Sequence, residues 1–219
     1  MAKFPEPPGL SDLQRLKPAI KLLETGTRMY RIFRSRGDHP MGWNAFRFFG
    51  PTSARFDHHL VDSQGEPQVA ERGIMYCAAG NQAVPTCLAE VFQGTRSINR
   101  RDGSPVLCVF TLTAPLSLID LSGPFATKIG ASTAISSGSR MRAQRWVQQL
   151  YDAFPDADGI YYGSSMYGHQ PAIALFERSA NAIPTTVNLH RQLDDPELKS
   201  VIVRTAWDIG YTVVDIDDV

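Results

Sequence analysis

The sequence has no excess of charge of either sign, because its 22 basic and 22 acidic side chains cancel at neutral pH. Overall charge therefore gives no reason to expect binding to nucleic acid or to a membrane surface. The sequence also lacks any run of about 18 apolar residues, the length that a transmembrane helix requires. Its proline-rich first eight residues lack the apolar stretch of a signal peptide. These absences together predict a protein of the cytoplasm.

Cysteine is scarce as well, with three residues, Cys77, Cys87 and Cys108, and no CxxC pair. Each lies in an apolar stretch, which predicts buried thiols in a reducing compartment and gives no support for a zinc site. His58 and His59 are expected in a solvated loop. Neighbouring side chains of an extended segment point to opposite sides, so these two do not readily share a metal ion. We therefore expect no metal site.

Lysine is rare, with 5 residues against 17 arginines. Residues 1–60 contain 10 basic and 5 acidic side chains, whereas residues 193–219 contain 7 acidic and 2 basic ones. The planar guanidinium group of arginine suits a phosphate or a carboxylate. An anion site in the front half of the chain and arginines scattered over the surface both fit this composition.

Hydrophobic patterning predicts an α+β fold, because strand-like runs outnumber helices and do not alternate strictly with them. We expect mixed or antiparallel sheets flanked by helices. Capping and stop signals predict helices from Ser11 to about Glu24, from Pro85 to about Gln93, from Ser139 to about Ala153 and from Asp195 to Gly210. The predicted strands are Thr27 to Arg34, Phe46 to Phe49, Gly73 to Ala79, Val106 to Thr113, Leu116 to Leu121, Gly159 to Tyr162, Ala172 to Phe176 and Tyr211 to Ile216.

The chain divides by its pattern into three parts. Residues 1–26 are expected to form a loose proline-rich arm, over residues 1–10, and a helix. Residues 27–180 form the main domain, and residues 181–219 add a helix and a strand that pack on it. Within the main domain, residues 122–139 are rich in serine, glycine and threonine and are expected to form a lid or a short helix.

Four features stand out as candidates for chemistry, although each has an ordinary structural alternative. Arg31 lies inside an otherwise apolar strand, and Arg55 follows a turn. Glu90 lies on a predicted helix, away from the apolar face, where it is either a solvated carboxylate or one that faces a cleft. Residues 161–165 place two tyrosines and two serines at the end of a strand. Universal catalytic motifs such as GxGxxG, the P-loop, HExxH and GxSxG are absent from the sequence.

Taken in order, these features resemble the RES domain family, which is named for its Arg, Glu and Ser. The resemblance covers about two thirds of the chain, from about residue 28 to 178. The motifs that match are Tyr30–Arg34, Ser53–Asp57, Gly73–Tyr76, Thr86–Phe92 and Asp158–Ser165. The chain departs from the family where many members have a Gly-Gly-Arg-Trp-Asn-like stretch, since Ser53 and Ala54 replace the glycines.

The resemblance implies a toxin of a bacterial toxin–antitoxin pair, with an ADP-ribosyltransferase-like fold and a separate helix-turn-helix antitoxin of the Xre type as partner. It implies that the protein consumes NAD+ as its substrate, with no further cofactor, by hydrolysis or phosphorolysis of the nicotinamide–ribose bond. A protein ADP-ribosyltransferase is the alternative enzyme. A non-catalytic binding module that keeps the fold as an interaction surface is a further alternative.

The resemblance also assigns candidate site residues. The arginines of the family correspond to Arg31 and Arg55, with Arg34 as an alternative, and its glutamate corresponds to Glu90. The remaining family positions fall on Tyr76 and on Ser164, with Ser165 as an alternative. Glu90, Arg31 and Ser164 are the predicted catalytic residues, and Arg31, Arg55, Tyr76 and Ser164 are predicted to bind the substrate.

These residue types suit cleavage of NAD+. Nicotinamide is a good leaving group, so the difficult feature is the oxocarbenium-like ribose, which a carboxylate such as Glu90 stabilises. Two arginines are able to hold the pyrophosphate by paired hydrogen bonds. An aromatic ring such as that of Tyr76 stacks on the cationic nicotinamide, and the Ser164 hydroxyl positions the ribose or the amide.

Overall fold

The computed structural model describes residues 4–214. The helices in this range are α1 (Leu10–Gln14), α2 (Ala83–Val91), α3 (Phe125–Lys128), α4 (Ala134–Ser137), α5 (Arg140–Ala153) and α6 (Pro196–Ile209), with a 3-10 helix at Glu177–Ala182. The strands are β1 (Ile20–Leu23), β2 (Arg28–Arg34), β3 (Arg47–Gly50), β4 (Gln68–Ala79), β5 (Ser97–Asn99), β6 (Pro105–Thr111), β7 (Leu116–Asp120), β8 (Gly159–Gly163), β9 (Pro171–Phe176), β10 (Leu189–Gln192) and β11 (Thr212–Val214).

Nine of these strands form one sheet in the order β1-β7-β8-β9-β4-β2-β6-β10, with β3 paired to β4 beside this path. All neighbours in the sheet are antiparallel except β7 and β8, which run parallel. The strands β5 and β11 form a separate parallel pair. The predicted α+β class, with mostly antiparallel sheet flanked by helices, is confirmed.

The sheet is covered on both faces, and the alternation of side chains along β2 shows how. Met29 and Phe33 belong to one buried cluster, whereas Ile32 belongs to another that includes α2 and α6. Successive residues of a strand point to opposite faces, which is why a predominantly apolar strand fits this position. A third buried cluster joins α5, with Trp146 at 0% exposure, to strands β8 and β9.

The amino-terminal region differs from the prediction in two ways. The helix expected from Ser11 to Glu24 ends at Gln14, and β1 follows and pairs with β7. Pro18 lies between the two elements, and proline disfavours a helical residue before it and removes a helical hydrogen bond. The arm expected to be loose is packed instead, because the Phe4 ring is buried against α5.

The serine- and glycine-rich segment 122–139 forms two short helices, α3 and α4, rather than a lid. Phe125 and Ile135 anchor them in the core. Three short elements were not predicted from the sequence: β5, β10 and the 3-10 helix. The last predicted strand is present as β11, and its predicted end at Ile216 lies outside the described residues.

Segments from all three predicted parts of the chain meet in the structure. Strand β1 from the first part and β10 from the last part both join the nine-stranded sheet, and α6 contacts α2. The division into parts stays a prediction. In the range 4–214, none of the helices combines the length and apolar character that crossing a bilayer needs.

Candidate active site

A cleft of about 890 Å³ opens between β2, β4, α2 and the loop that precedes Asp57. This volume lies in the usual range for small-molecule sites. Six arginines and three acidic residues line the cleft, which leaves an excess of positive charge. The arginines are Arg31, Arg34, Arg36, Arg47, Arg55 and Arg140, and the acidic residues are Asp38, Glu90 and Asp102.

Arg31 is a buried cation that lines the cleft. It is 6% exposed, and its Nη1 donates hydrogen bonds of 2.9 Å to the main-chain carbonyls of Trp43 and Ala45. Burial lowers the pKa of Arg31, and the neighbouring Cys77, Cys108 and Cys87 act in the opposite direction. None of the carboxylates within residues 4–214 forms an ion pair with it. A buried charge without a counterion is costly, so the position suits an anionic ligand.

Arg55 also lines the cleft. Its Nη1 donates a 2.6 Å hydrogen bond to the main-chain carbonyl of Gly138. Partial burial lowers the pKa of Arg55, and the neighbouring Arg140 acts in the same direction, whereas Glu90 raises it. Arg55 therefore lies close to both a second cation and the acidic group of the site.

Glu90 faces the cleft from the last turn of α2. Its Oε1 accepts a 2.5 Å hydrogen bond from the Ser164 hydroxyl. Burial raises the pKa of Glu90 above its ordinary value, while the Ser164 bond and the charges of Arg55 and Arg140 oppose this rise. Of the two interpretations offered by the sequence, the cleft-facing carboxylate is the one that the structure shows.

Ser164 lies immediately after β8, is 1% exposed, and is not in the cleft wall. Its hydroxyl oxygen accepts hydrogen bonds of 3.1 Å from the main-chain amides of Met166 and Tyr167. With its acceptor capacity engaged, the hydroxyl has its proton free to donate to Glu90. In this structure Ser164 is connected to the cleft by its hydrogen bond to Glu90.

Tyr76 lines the cleft from β4. Its hydroxyl is buried and makes no hydrogen bond of normal geometry to residues 4–214. Burial raises the pKa of Tyr76 far above its ordinary value, with a further contribution from Asp57. The phenol therefore stays protonated at any physiological pH and presents a neutral aromatic ring to the cleft.

The two alternative positions are placed differently. Arg34 lines the cleft, and its Nη2 lies 3.8 Å from an Asp102 carboxylate oxygen in an exposed ion pair. Ser165 is exposed and does not line the cleft. Four of the predicted residues, Arg31, Arg55, Tyr76 and Glu90, thus share one cavity, and Ser164 contacts it through Glu90. Their roles in catalysis stay predictions.

The side chain that fixes the loop carrying Arg55 was not predicted from the sequence. Asp57 is fully buried and accepts hydrogen bonds from Thr52, both main-chain N–H (2.7 Å) and hydroxyl (2.9 Å), and from Arg47 (2.8 Å). Its second oxygen contacts the His59 ring. Gln144 of α5 holds the same loop by donating to the carbonyls of Thr52 and Ala54 at 2.7 and 2.8 Å.

The expectation of a solvated loop at His58 and His59 is wrong, because both are fully buried. The His59 ring contacts Asp57, while the His58 ring packs against Tyr151 and Phe176 with centroids 4.5 and 4.6 Å apart. Burial lowers the pKa of His58, which favours its neutral form. The sequence signal was available in the phenylalanine that precedes Asp57, since an aromatic residue begins this buried stretch.

The three cysteines are buried and free, as predicted. Burial raises the pKa of Cys77 to about 12 and that of Cys108 to about 11, so the thiols are protonated and unreactive at neutral pH. Among residues 4–214, no group of three or more His, Cys, Asp or Glu side chains is arranged to hold a metal ion.

Comparisons with known proteins support the fold. Neither a protein-family model nor a curated protein sequence matches this chain. Among solved structures, the chain is similar to one in the crystal structure of the M. tuberculosis MbcT–MbcA toxin–antitoxin complex. The TM-score is 0.56 at 14% sequence identity, and the match covers 89% of this chain and 97% of that chain. At this identity the similarity establishes a common fold over nearly the full length of both chains.

Proposed function

We propose that this protein is an NAD+-consuming toxin of the RES type, which cleaves the bond between nicotinamide and ribose. The observation behind the proposal is one cleft that contains a buried arginine without a counterion, Arg31, and a desolvated carboxylate, Glu90. The first group suits the pyrophosphate of a dinucleotide. The second suits a sugar carbon that gains positive charge during the reaction.

The pyrophosphate is proposed to lie between Arg31 and Arg55. Both guanidinium groups line the cleft and are anchored by main-chain carbonyls, which fixes their direction before the substrate binds. Anchored donors lose little side-chain entropy on binding, and charge-assisted hydrogen bonds are about twice as strong as neutral ones. The negative charge of the diphosphate supplies the counterion that Arg31 lacks within the protein.

The chemical step breaks the bond between C1′ of the ribose and the pyridinium nitrogen. The bonding electron pair leaves with nicotinamide, which becomes neutral, and C1′ acquires oxocarbenium character. Glu90 in its ionised form stabilises this charge, and Ser164 holds its carboxylate in place by the 2.5 Å hydrogen bond. When water is the acceptor, its oxygen bonds to C1′ and its proton passes to Glu90 or solvent. When phosphate is the acceptor, the product is phosphorylated ADP-ribose.

The toxin role draws on two supports. The ordered motifs of the sequence resemble those of the RES family, and the fold is similar to that of a chain in a toxin–antitoxin complex. We accordingly propose that the protein acts in the cytoplasm and that a separate antitoxin chain with an Xre-type helix-turn-helix domain neutralises it. Because the cleft has an excess of arginine, we propose that an acidic or apolar segment of that antitoxin binds over the cleft and closes it.

The test is to incubate the purified protein with NAD+, with and without inorganic phosphate, and to measure nicotinamide and the second product. Free ADP-ribose indicates hydrolysis, and phosphorylated ADP-ribose indicates phosphorolysis. ADP-ribose attached to protein indicates the transferase alternative. Glu90→Gln is the inactive comparison, and Glu71→Gln is the matched control because Glu71 is exposed on β4 and away from the cleft wall. Absence of nicotinamide release by the wild type contradicts the proposal.

A further inference from the structure

The amino-terminal arm, residues 4–9, is fastened to α5. Phe4 is 6% exposed, and its main-chain carbonyl accepts a 2.5 Å hydrogen bond from Arg142. The carbonyl of Pro5 accepts a 2.9 Å hydrogen bond from the Trp146 indole. Both donors belong to α5, so the arm follows the position of that helix.

Glu6 adds an ionic attachment at the surface. Its two carboxylate oxygens contact Arg145 at 2.6 and 2.7 Å and Arg142 at 3.0 Å. The hydrogen bond from Arg145 is the main cause that lowers the pKa of Glu6 to about 2. The carboxylate is therefore ionised throughout the physiological range. Exposed ion pairs contribute little stability individually, so the buried Phe4 ring is the principal anchor.

The arm also contacts the turn between α4 and α5. A Cβ atom built on Gly138 lies 3.0 Å from the Phe4 ring and 2.7 Å from the carbonyl oxygen of Ala134. The main chain of Gly138 is therefore confined between the arm and α4. Its own amide is hydrogen-bonded to the same Ala134 carbonyl at 2.6 Å. The remaining polar atom of this residue, its carbonyl oxygen, accepts the hydrogen bond from Arg55.

We propose that the arm positions the substrate-binding group of the cleft: the Phe4 ring fixes the Gly138 peptide, whose carbonyl fixes the Arg55 guanidinium. Phe4 is thus a positioning residue that acts through Arg55. This inference rests on the proposed function for its activity assay, because Arg55 is assigned there to the pyrophosphate. It has a separate structural test.

Electrostatics explain why Arg55 needs a fixed acceptor. Arg140 lines the same cleft and its charge disfavours the charged form of Arg55. Two like charges in a partly desolvated site repel each other, so an unanchored guanidinium turns toward solvent. The carbonyl of Gly138 offsets this repulsion only while it is held at hydrogen-bonding distance.

The activity test is a double-mutant cycle of Phe4→Ala and Arg55→Ala, with NAD+ turnover as the readout. Phe4→Ala is expected to lower kcat/KM by about tenfold, mainly through a higher KM, since a small misplacement of a binding group weakens substrate binding. In the Arg55→Ala background, the same substitution is expected to change kcat/KM by less than about twofold. Equal effects in both backgrounds overturn the proposal.

Leu13→Ala is the matched control, because Leu13 is fully buried in the same cluster of apolar residues but lies on α1. It is expected to lower the melting temperature without coupling to Arg55→Ala. If Phe4→Ala does not fold, Phe4→Leu replaces it in the same cycle, with a smaller effect of the same pattern expected. Coupling of Leu13→Ala to Arg55→Ala as strong as that of Phe4 shows a general packing effect and contradicts the proposal.

Hydrogen–deuterium exchange tests the arm without reference to catalysis. Peptides that span residues 134–140 and 52–57 are expected to exchange faster in Phe4→Ala than in the wild type, whereas peptides of β8 are expected to be unchanged. If the wild type fails to turn over NAD+ but the exchange differs as expected, the proposed function is wrong and the positioning contact stands. Unchanged exchange in both peptides contradicts the positioning role whatever the activity.

Discussion

Replacement of Glu90 by glutamine removes the negative charge of this side chain while it keeps the shape of the cleft. The amide has nearly the same volume as the carboxylate and keeps an oxygen that accepts the hydrogen bond from Ser164. What it loses is the negative charge that, in the proposed mechanism, stabilises the oxocarbenium-like ribose. One such contact, made only in the transition state, is worth about 3 kcal/mol, so kcat is expected to fall by about a hundredfold. The KM for NAD+ is expected to change little.

The same substitution is expected to stabilise the fold. Because burial raises the pKa of Glu90, the native state disfavours the ionised form, and this penalty grows as pH rises from the unfolded pKa to the folded one. Glu90→Gln is therefore expected to melt at a higher temperature than the wild type at pH 7, and at the same temperature below about pH 4. Nicotinamide release and thermal melting measure the two effects. Full turnover in this variant, or a lower melting temperature at pH 7, refutes the reasoning.

Three further predictions concern the ionisation of Glu90 and the roles of Arg31 and Asp57. The kcat for NAD+ cleavage is expected to fall on acidification at a pH above the ordinary glutamate pKa of 4.5, because the Glu90 carboxylate must be ionised. A kcat that stays constant down to pH 4.5 contradicts this. Arg31→Met is expected to weaken ADP-ribose binding by at least about tenfold in calorimetry, because the anion loses its buried cation; unchanged affinity shows a purely structural arginine. Asp57→Asn is expected to lower the free energy of unfolding by about 3 kcal/mol in urea, because Arg47 loses its buried partner. Hydrogen bonding and neighbouring charge hold the pKa of Asp57 below its ordinary value. The stability that its carboxylate provides is therefore present above about pH 4 and is lost on further acidification. If the free energy of unfolding falls equally with acidification in the variant and in the wild type, this prediction is wrong.

The sequence predicted the elements that periodicity and capping specify. Helix α5 begins after Ser139, whose side chain accepts from Arg142 N–H, and α6 begins after Asp195 and ends at Gly210 in the left-handed conformation. The class of the fold followed from the balance of strands and helices. The position of Glu90 on α2 also allowed a cleft-facing carboxylate, although periodicity alone did not distinguish it from a solvated one.

The missed features depend on contacts between distant parts of the chain. Asp57 is buried because Thr52, Arg47 and His59 surround it, and none of these contacts has a sequence pattern. The packing of Phe4 depends on α5, which lies more than a hundred residues away. Strand β1 forms because β7 offers an edge, and a four-residue segment has no periodicity of its own. The structure of these segments therefore depends on tertiary contacts that a local sequence pattern does not encode.

The position of β9 in the sheet has a consequence for when the cleft is complete. Within the described sheet, β9 joins the group β1-β7-β8 to the group β4-β2-β6-β10. Glu90 belongs to the second group through α2, and Ser164 follows β8 in the first. During synthesis on the ribosome, the two groups stay unconnected in the sheet until residues 171–176 have emerged. If the proposed NAD+ cleavage is correct, nascent chains shorter than this are expected to be inactive, and activity is expected only near the end of translation.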